Sequence, residues 1–166
     1  MQTDVTQPVL LVAAVAVLRA AEERGLRFAC ALGHSLGEYT ALVAVGSLGF
    51  ADAVRLVRRR GEVMQAAAGE RPGGMAAVLG LDDRVVDDLC GTIADVWPAN
   101  YNAPGQVVVS GAVAALDELA DRAARAGARK VVRLPVSGAF HSPYMEVAAA
   151  ELRPALDQTA WGVPVR

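Results

Sequence analysis

Apolar residues recur every three or four positions over long stretches of this chain, and a few short stretches are contiguously apolar. The first periodic stretch predicts a helix from Thr6, a helix-capping residue type, through Arg24, with Pro8 in its first turn and Gly25 closing it. Within it, VLLVAAVAVL (residues 9–18) is the most apolar segment. It is shorter than the roughly 20 residues a bilayer crossing needs, and no charged segment precedes it as in a signal peptide, so it predicts a buried helix. Phe28 to Leu32 predicts a short buried strand, Gly33 to Gly37 a turn, and a second helix starts near Leu36. A third helix is predicted from Ala51 to Ala68, followed by a loop over residues 70–74.

From Met75 the period changes. MAAVLG reads as a strand, Asp82 to Ile93 as a helix opened by aspartates, and VWPANYN as irregular to extended. QVVVSG reads as a strand, Val113 to Ala126 as an amphipathic helix closed by Gly127, and ARKVVRLPV as a further strand. Strand, helix, strand, strand, helix, strand is the order of a split βαβ, or ferredoxin-like, unit. The fold class expected is therefore α/β. A partial core of residues 1–73 and 136–166 carries an inserted ferredoxin-like (βαββαβ) subdomain over residues 74–135.

Composition narrows the function. At 166 residues the chain has room for one core and a small insertion. It is 54% hydrophobic but only 5% aromatic, so alanine and valine build the interior. A net charge of −2 lacks the basic excess that nucleic-acid binding requires. Cys30 and Cys90 have neither metal-ligand nor CxxC spacing, so no metal site is expected. Cys30 lies in an apolar run and is expected to be buried, and two unpaired thiols suit a reducing cytoplasm.

The candidate chemistry starts at GHSLGEYTA, residues 33–41. A predicted strand, then GxSxG, then a helix would place Ser35 on a sharp turn with its hydroxyl exposed as a nucleophile. The glycines leave room for the bend and for substrate, and the N–H of Leu36 at the helix start can face a developing oxyanion. A structural turn is the competing reading. A serine nucleophile needs a base. His34 adjoins Ser35, and side chains diverge at a sharp turn, which leaves His141, in VSGAFHSPYM, as the other histidine. Eight aspartates lie between Ser35 and His141, and none recommends itself as a third member. In LVRRRGEVMQ (residues 56–65), Arg60 shares a helical face with Leu56, Val63 and Met64, while Arg58 and Arg59 point elsewhere. It either snorkels to solvent or reaches a substrate carboxylate.

Taken in order, TQPVLL (6–11), GHSLGEYTA (33–41), RRRGEVMQ (58–65), GGMAAVLGL (73–81), NYNAPGQVVVSG (100–111) and LPVSGAFHSPYM (134–145) resemble the malonyl-CoA:acyl-carrier-protein transacylase family. The related acyltransferase domains of fatty acid and polyketide synthases share them. The resemblance implies a hydrolase-like α/β core with an inserted ferredoxin-like subdomain. It implies Ser35 as nucleophile, His141 as base, Arg60 on the malonyl carboxylate and Leu36 N–H as one oxyanion donor. Asn102 would lie near the pocket, and Phe140 would select malonyl over branched acyl groups. No cofactor or metal is implied, since the coenzyme A thioester is the substrate. The partners would be malonyl-CoA and acyl carrier protein, with no nucleic acid and no membrane. Against the family pattern, the chain is expected to lack the N-terminal strand and loop that give a second oxyanion N–H. It is also expected to lack the later segment that orients the histidine, and so to be a weak enzyme alone. Two other readings stay open. One is a serine hydrolase or thioesterase. The other is a non-catalytic fragment that binds carrier protein through Arg122, Arg125, Arg129 and Lys130, unless these only form a solvated face.

Overall fold

The computed structural model describes residues 3–165. Two compact units form: Met64–Ala149, and the chain up to Val63 together with the chain from Ala150 onward.

In the first unit, β1 (Gly74–Leu79), α4 (Asp83–Thr92), β2 (Val96–Ala103), β3 (Gln106–Gly111), α5 (Val113–Arg125) and β4 (Lys130–Arg133) follow the expected order. The sheet order is β2-β3-β1-β4 and every neighbouring pair is antiparallel, the arrangement a split βαβ prescribes. The period of two sorts β1 cleanly. Ala76 and Val78 face one way, into a core with Val107 and Val109 of β3 and Val86, Leu116 and Leu119 of the two helices. Met75 and Ala77 face the other way, with Val108 and Phe140. Contiguous apolar strands in the sequence thus mean a sheet covered on both faces. Asp82 caps α4, its carboxylate accepting the N–H of Arg84 at 3.0 Å. The segment VWPANYN is more regular than its sequence indicates. It is the edge strand β2, paired with β3 through register shifts at Pro98/Asn100 and Tyr101/Ala103. An edge position tolerates the missing N–H of Pro98, and bulges absorb the extra residues.

The second unit holds α1 (Thr3–Glu23), α2 (Gly37–Ala44), the larger part of α3 (Phe50–Glu70) and the end of α6 (Glu146–Asp157). Its core joins Leu11, Val15, Val43, Leu48, Ala53, Leu56 and Val57. An added Cβ on Gly61 would lie 2.7 Å from Asp4 Cα, so the missing side chain lets α3 and α1 cross closely there.

The structure differs from four of the expectations. Helix α1 begins at Thr3 and reaches 21 residues, long and apolar enough by length and composition to cross a membrane, so shortness excludes nothing. Nor is it a buried helix: Gln7, Leu11 and Val15 form a buried stripe, while Val5, Val9, Leu10, Val12 and Val17 are exposed. One stripe at i, i+4, i+8 is all that its neighbours cover. Phe28 to Leu32 is irregular chain with a bend at Ala29 rather than a strand, and Cys30 is exposed, as is Leu32 at 94%. A strand needs a paired neighbour, and the described sheet is built from strands within residues 74–133.

Candidate active site

The turn into α2 is built around Ser35. Its φ is +53°, the left-handed region that costs a non-glycine residue on the order of 1–3 kcal/mol and persists only where the surroundings enforce it. Enforcement comes from both sides. The N–H groups of Gly37, Glu38 and Tyr39 donate to the carbonyls of His34, Ser35 and Leu36 at 2.9, 3.2 and 3.2 Å. An added Cβ on Gly33 would sit 2.0 Å from the Gly37 carbonyl carbon, so the chain folds back where only glycine fits. At Gly37 the same test meets nothing within 4 Å, so of the two motif glycines Gly33 alone is required by the bend. Leu36 is the residue before the first helical position, with φ −55°.

The arginine triplet divides as its helical positions foretell. Arg58 pairs with Glu62 at 3.0 Å and Arg59 with Glu151 at 3.1 Å, all on the surface. Arg60 turns inward, half-buried, and its Nη2 donates to Ser35 Oγ at 2.9 Å. Its Nη1 donates to Oε1 of Gln7, a buried residue of α1. Burial pushes the Arg60 guanidinium below its usual value, with Tyr39 and Glu38 opposing the fall. Burial likewise raises the Tyr39 hydroxyl, and Arg60 opposes that. A desolvated guanidinium beside a serine hydroxyl is a strong anion receptor. Gln7 is the residue that sequence reasoning passes over. It lies inside TQPVLL, and a glutamine on the buried stripe of an apolar helix is the available signal.

His141 lies in the other unit, on the loop after β4. It is exposed, with φ +59°, between buried Phe140 and the 3-10 turn Pro143–Met145 that leads into α6. Phe140 packs with Met75, Ala77 and Val108. Asn102 is exposed at the second register shift of β2. Arg122 is held by Glu118 at 2.6 Å, on the last turn of α5, where its charge also complements the helix dipole.

A family model of the acyl transferase domain matches residues 1–164. The chain belongs to that family. It is 44% identical to a malonyl CoA-acyl carrier protein transacylase of Staphylococcus aureus over 164 residues, covering 96% of this chain and 53% of that protein. It is equally similar, 44% over 163 residues with the same coverage, to the one from Salmonella typhimurium. Among solved structures, the malonyl-CoA:acyl carrier protein transacylase of Xanthomonas oryzae superposes with a TM-score of 0.93 at 49% identity, over 98% of this chain and 53% of that one. A malonyl-transacylase in complex with its type II polyketide synthase acyl-carrier protein gives a TM-score of 0.93 at 41% identity, over 98% and 54%. The chain thus spans about half the length of the relatives it matches. The acyltransferase family membership and the α/β class agree with the resemblance read from the six motifs.

Proposed function

We propose that the chain carries the chemistry of malonyl transfer from coenzyme A to the phosphopantetheine thiol of an acyl carrier protein, through a malonyl-seryl intermediate on Ser35. The observation that carries this reading is the 2.9 Å contact between Arg60 Nη2 and Ser35 Oγ. In a malonyl thioester one methylene separates the free carboxylate from the carbonyl carbon under attack. A cation within hydrogen-bond reach of the nucleophile is therefore where that carboxylate needs it. A simple esterase has no use for such a cation.

In the first half-reaction the imidazole of His141 takes the Ser35 proton as Oγ attacks the thioester carbon, and Leu36 N–H supports the oxyanion. The C–S bond breaks, and coenzyme A leaves as the thiol with the proton from His141. In the second half-reaction the carrier thiol gives its proton to His141, attacks the seryl ester, and Ser35 recovers the proton. Arg60 holds the carboxylate throughout, Phe140 limits bulk on the α-carbon, and Asn102 borders the pocket. No cofactor enters, because the thioester itself is the activated group. The free thiols of Cys30 and Cys90 suit the reducing cytoplasm where such carriers would be met.

The test is intact-mass analysis after incubation with malonyl-CoA. One malonyl adduct is expected, absent in Ser35→Ala. Arg60→Ala should weaken malonyl transfer far more than acetyl transfer, and equal losses would remove the carboxylate role. Release of free malonate with no transfer to carrier would support a hydrolase instead. A folded sample without adduct would support a carrier-binding fragment.

A further inference from the structure

No acidic residue emerges from the sequence as a support for His141, and the loop that carries it shows support of another kind. His141 is exposed with φ +59°, a geometry that an exposed residue abandons unless the chain is pinned on both sides. The upstream pin is Ala139 and Phe140. Ala139 is fully buried, against a glycine, Gly73, whose added Cβ would come within 2.8 Å of it. The downstream pin is Tyr144, 7% exposed. Ser142 ties the two pins together across the histidine, its Oγ donating to the Ala139 carbonyl at 2.6 Å and accepting the Tyr144 N–H at 3.3 Å.

What fixes Tyr144 is unusual for a merely buried ring. The guanidinium carbon of Arg71 lies 3.6 Å from the ring centroid, and Trp97 of β2 meets the ring edge-on at 5.6 Å and 63°. Arg71 is aimed by Asp95, Nη2 to Oδ1 at 3.1 Å. Asp95 is itself fixed where α4 gives way to β2. Its φ is +60°, its carbonyl accepts the Ala112 N–H at 2.8 Å, and an added Cβ on Gly111 would lie 2.1 Å from that carbonyl oxygen. A continuous line of contacts thus runs from the sheet end through Asp95 and Arg71 to Tyr144.

We propose that Tyr144, clamped between Arg71 and Trp97, is the positioning residue for the His141 imidazole. The proposal rests on His141 being the base. The clamp acts by fixing the backbone on either side of the imidazole. Closing an aromatic face with a cation is a modest interaction, sufficient to shift a local opening equilibrium about tenfold.

The experiment uses the full chain and two readouts. The two histidines give two imidazole resonances by NMR, assigned with His34→Gln, and amide exchange is followed over residues 140–145. Ser35 malonylation is followed by mass, with its pH profile. Tyr144→Leu should raise exchange over the loop about tenfold, move the His141 resonance toward that of a free imidazole, and slow malonylation about tenfold with little change in the malonyl-CoA concentration dependence. Tyr144→Phe, which keeps the ring, should stay within about twofold of wild type, and Arg71→Met should fall between. Tyr144→Leu with unchanged exchange and resonance overturns the proposal whatever the activity. So does Tyr144→Phe losing as much as Tyr144→Leu. If His141→Ala abolishes malonylation while Tyr144→Leu keeps the full rate, the positioning role alone fails. If His141→Ala leaves malonylation intact, the base assignment fails and takes the role with it.

Discussion

The contact between Gln7 and Arg60 joins α1 to α3, and its strength can be measured without any substrate. Gln7 is 6% exposed, Arg60 is half-buried, and Nη1 of the arginine donates to the glutamine carbonyl. Hydrogen bonds to charged groups contribute about 1.5–3 kcal/mol each, and a half-buried donor belongs toward the middle, about 2 kcal/mol. Gln7→Met keeps the shape of the buried stripe and removes the acceptor. Arg60→Met keeps the stem and removes the donor. The double variant removes both, so the coupling energy in the cycle isolates the bond. Urea unfolding of the four proteins should give a coupling of about 2 kcal/mol, with the Gln7→Met midpoint lowered accordingly. In thermal unfolding the same loss is about 4–8 °C for a chain of this length. Additivity of the two single changes to within about 0.5 kcal/mol would show that the glutamine is not what holds the guanidinium. Gln7→Glu is the complementary probe. A carboxylate at that place should stabilise the fold and, with Arg60 in its proposed role, compete with malonate, so stability and malonyl capture should move in opposite directions.

The two motif glycines should part company: Gly33→Ala should cost more than about 3 kcal/mol or prevent folding, whereas Gly37→Ala should be neutral or stabilise α2 by about 0.5–1 kcal/mol, both read from unfolding midpoints. The cysteines should differ as well, a maleimide adding to exposed Cys30 in the native protein and to buried Cys90 only after unfolding. Burial and nearby Asp87 push the Cys90 thiol up to about 11 from its ordinary 9.0, so the folded protein holds that proton more tightly than the unfolded chain does. Its contribution to stability should therefore be intact below pH 9.0 and decline as pH rises through about 11, a slope that Cys90→Ala flattens.

The sheet unit was largely legible in the sequence, because its strands and helices satisfy one another locally. QVVVSG finds its strand partners within the same unit, and Asp82 announces a helix start. What failed to read were segments whose structure depends on neighbours. Phe28 to Leu32 has strand composition, but composition alone does not place a segment in a sheet. Helix α1 is apolar on most sides, and the number of sides covered is a property of its packing rather than of its sequence. At the candidate site, Ser35 and Arg60 were visible because their chemistry is distinctive. Gln7 was not, since a neutral amide gains its role only through the close crossing that Gly61 permits. Tyr144 and Arg71 stand far apart in sequence, and no periodicity links them.

With Ser35 and His141 in their proposed roles, their left-handed backbones set stability and function against each other. Both positions are ones where glycine would be the more comfortable occupant. Replacing either by glycine would relax the backbone while deleting the side chain to which the proposed chemistry is assigned. A library of this chain sorted for thermal robustness alone should therefore drift toward glycine at both positions, whereas one sorted for acyl transfer should hold serine and histidine and accumulate compensating gains elsewhere. Which residue survives at these two positions would reveal what a population of such chains had been selected to do.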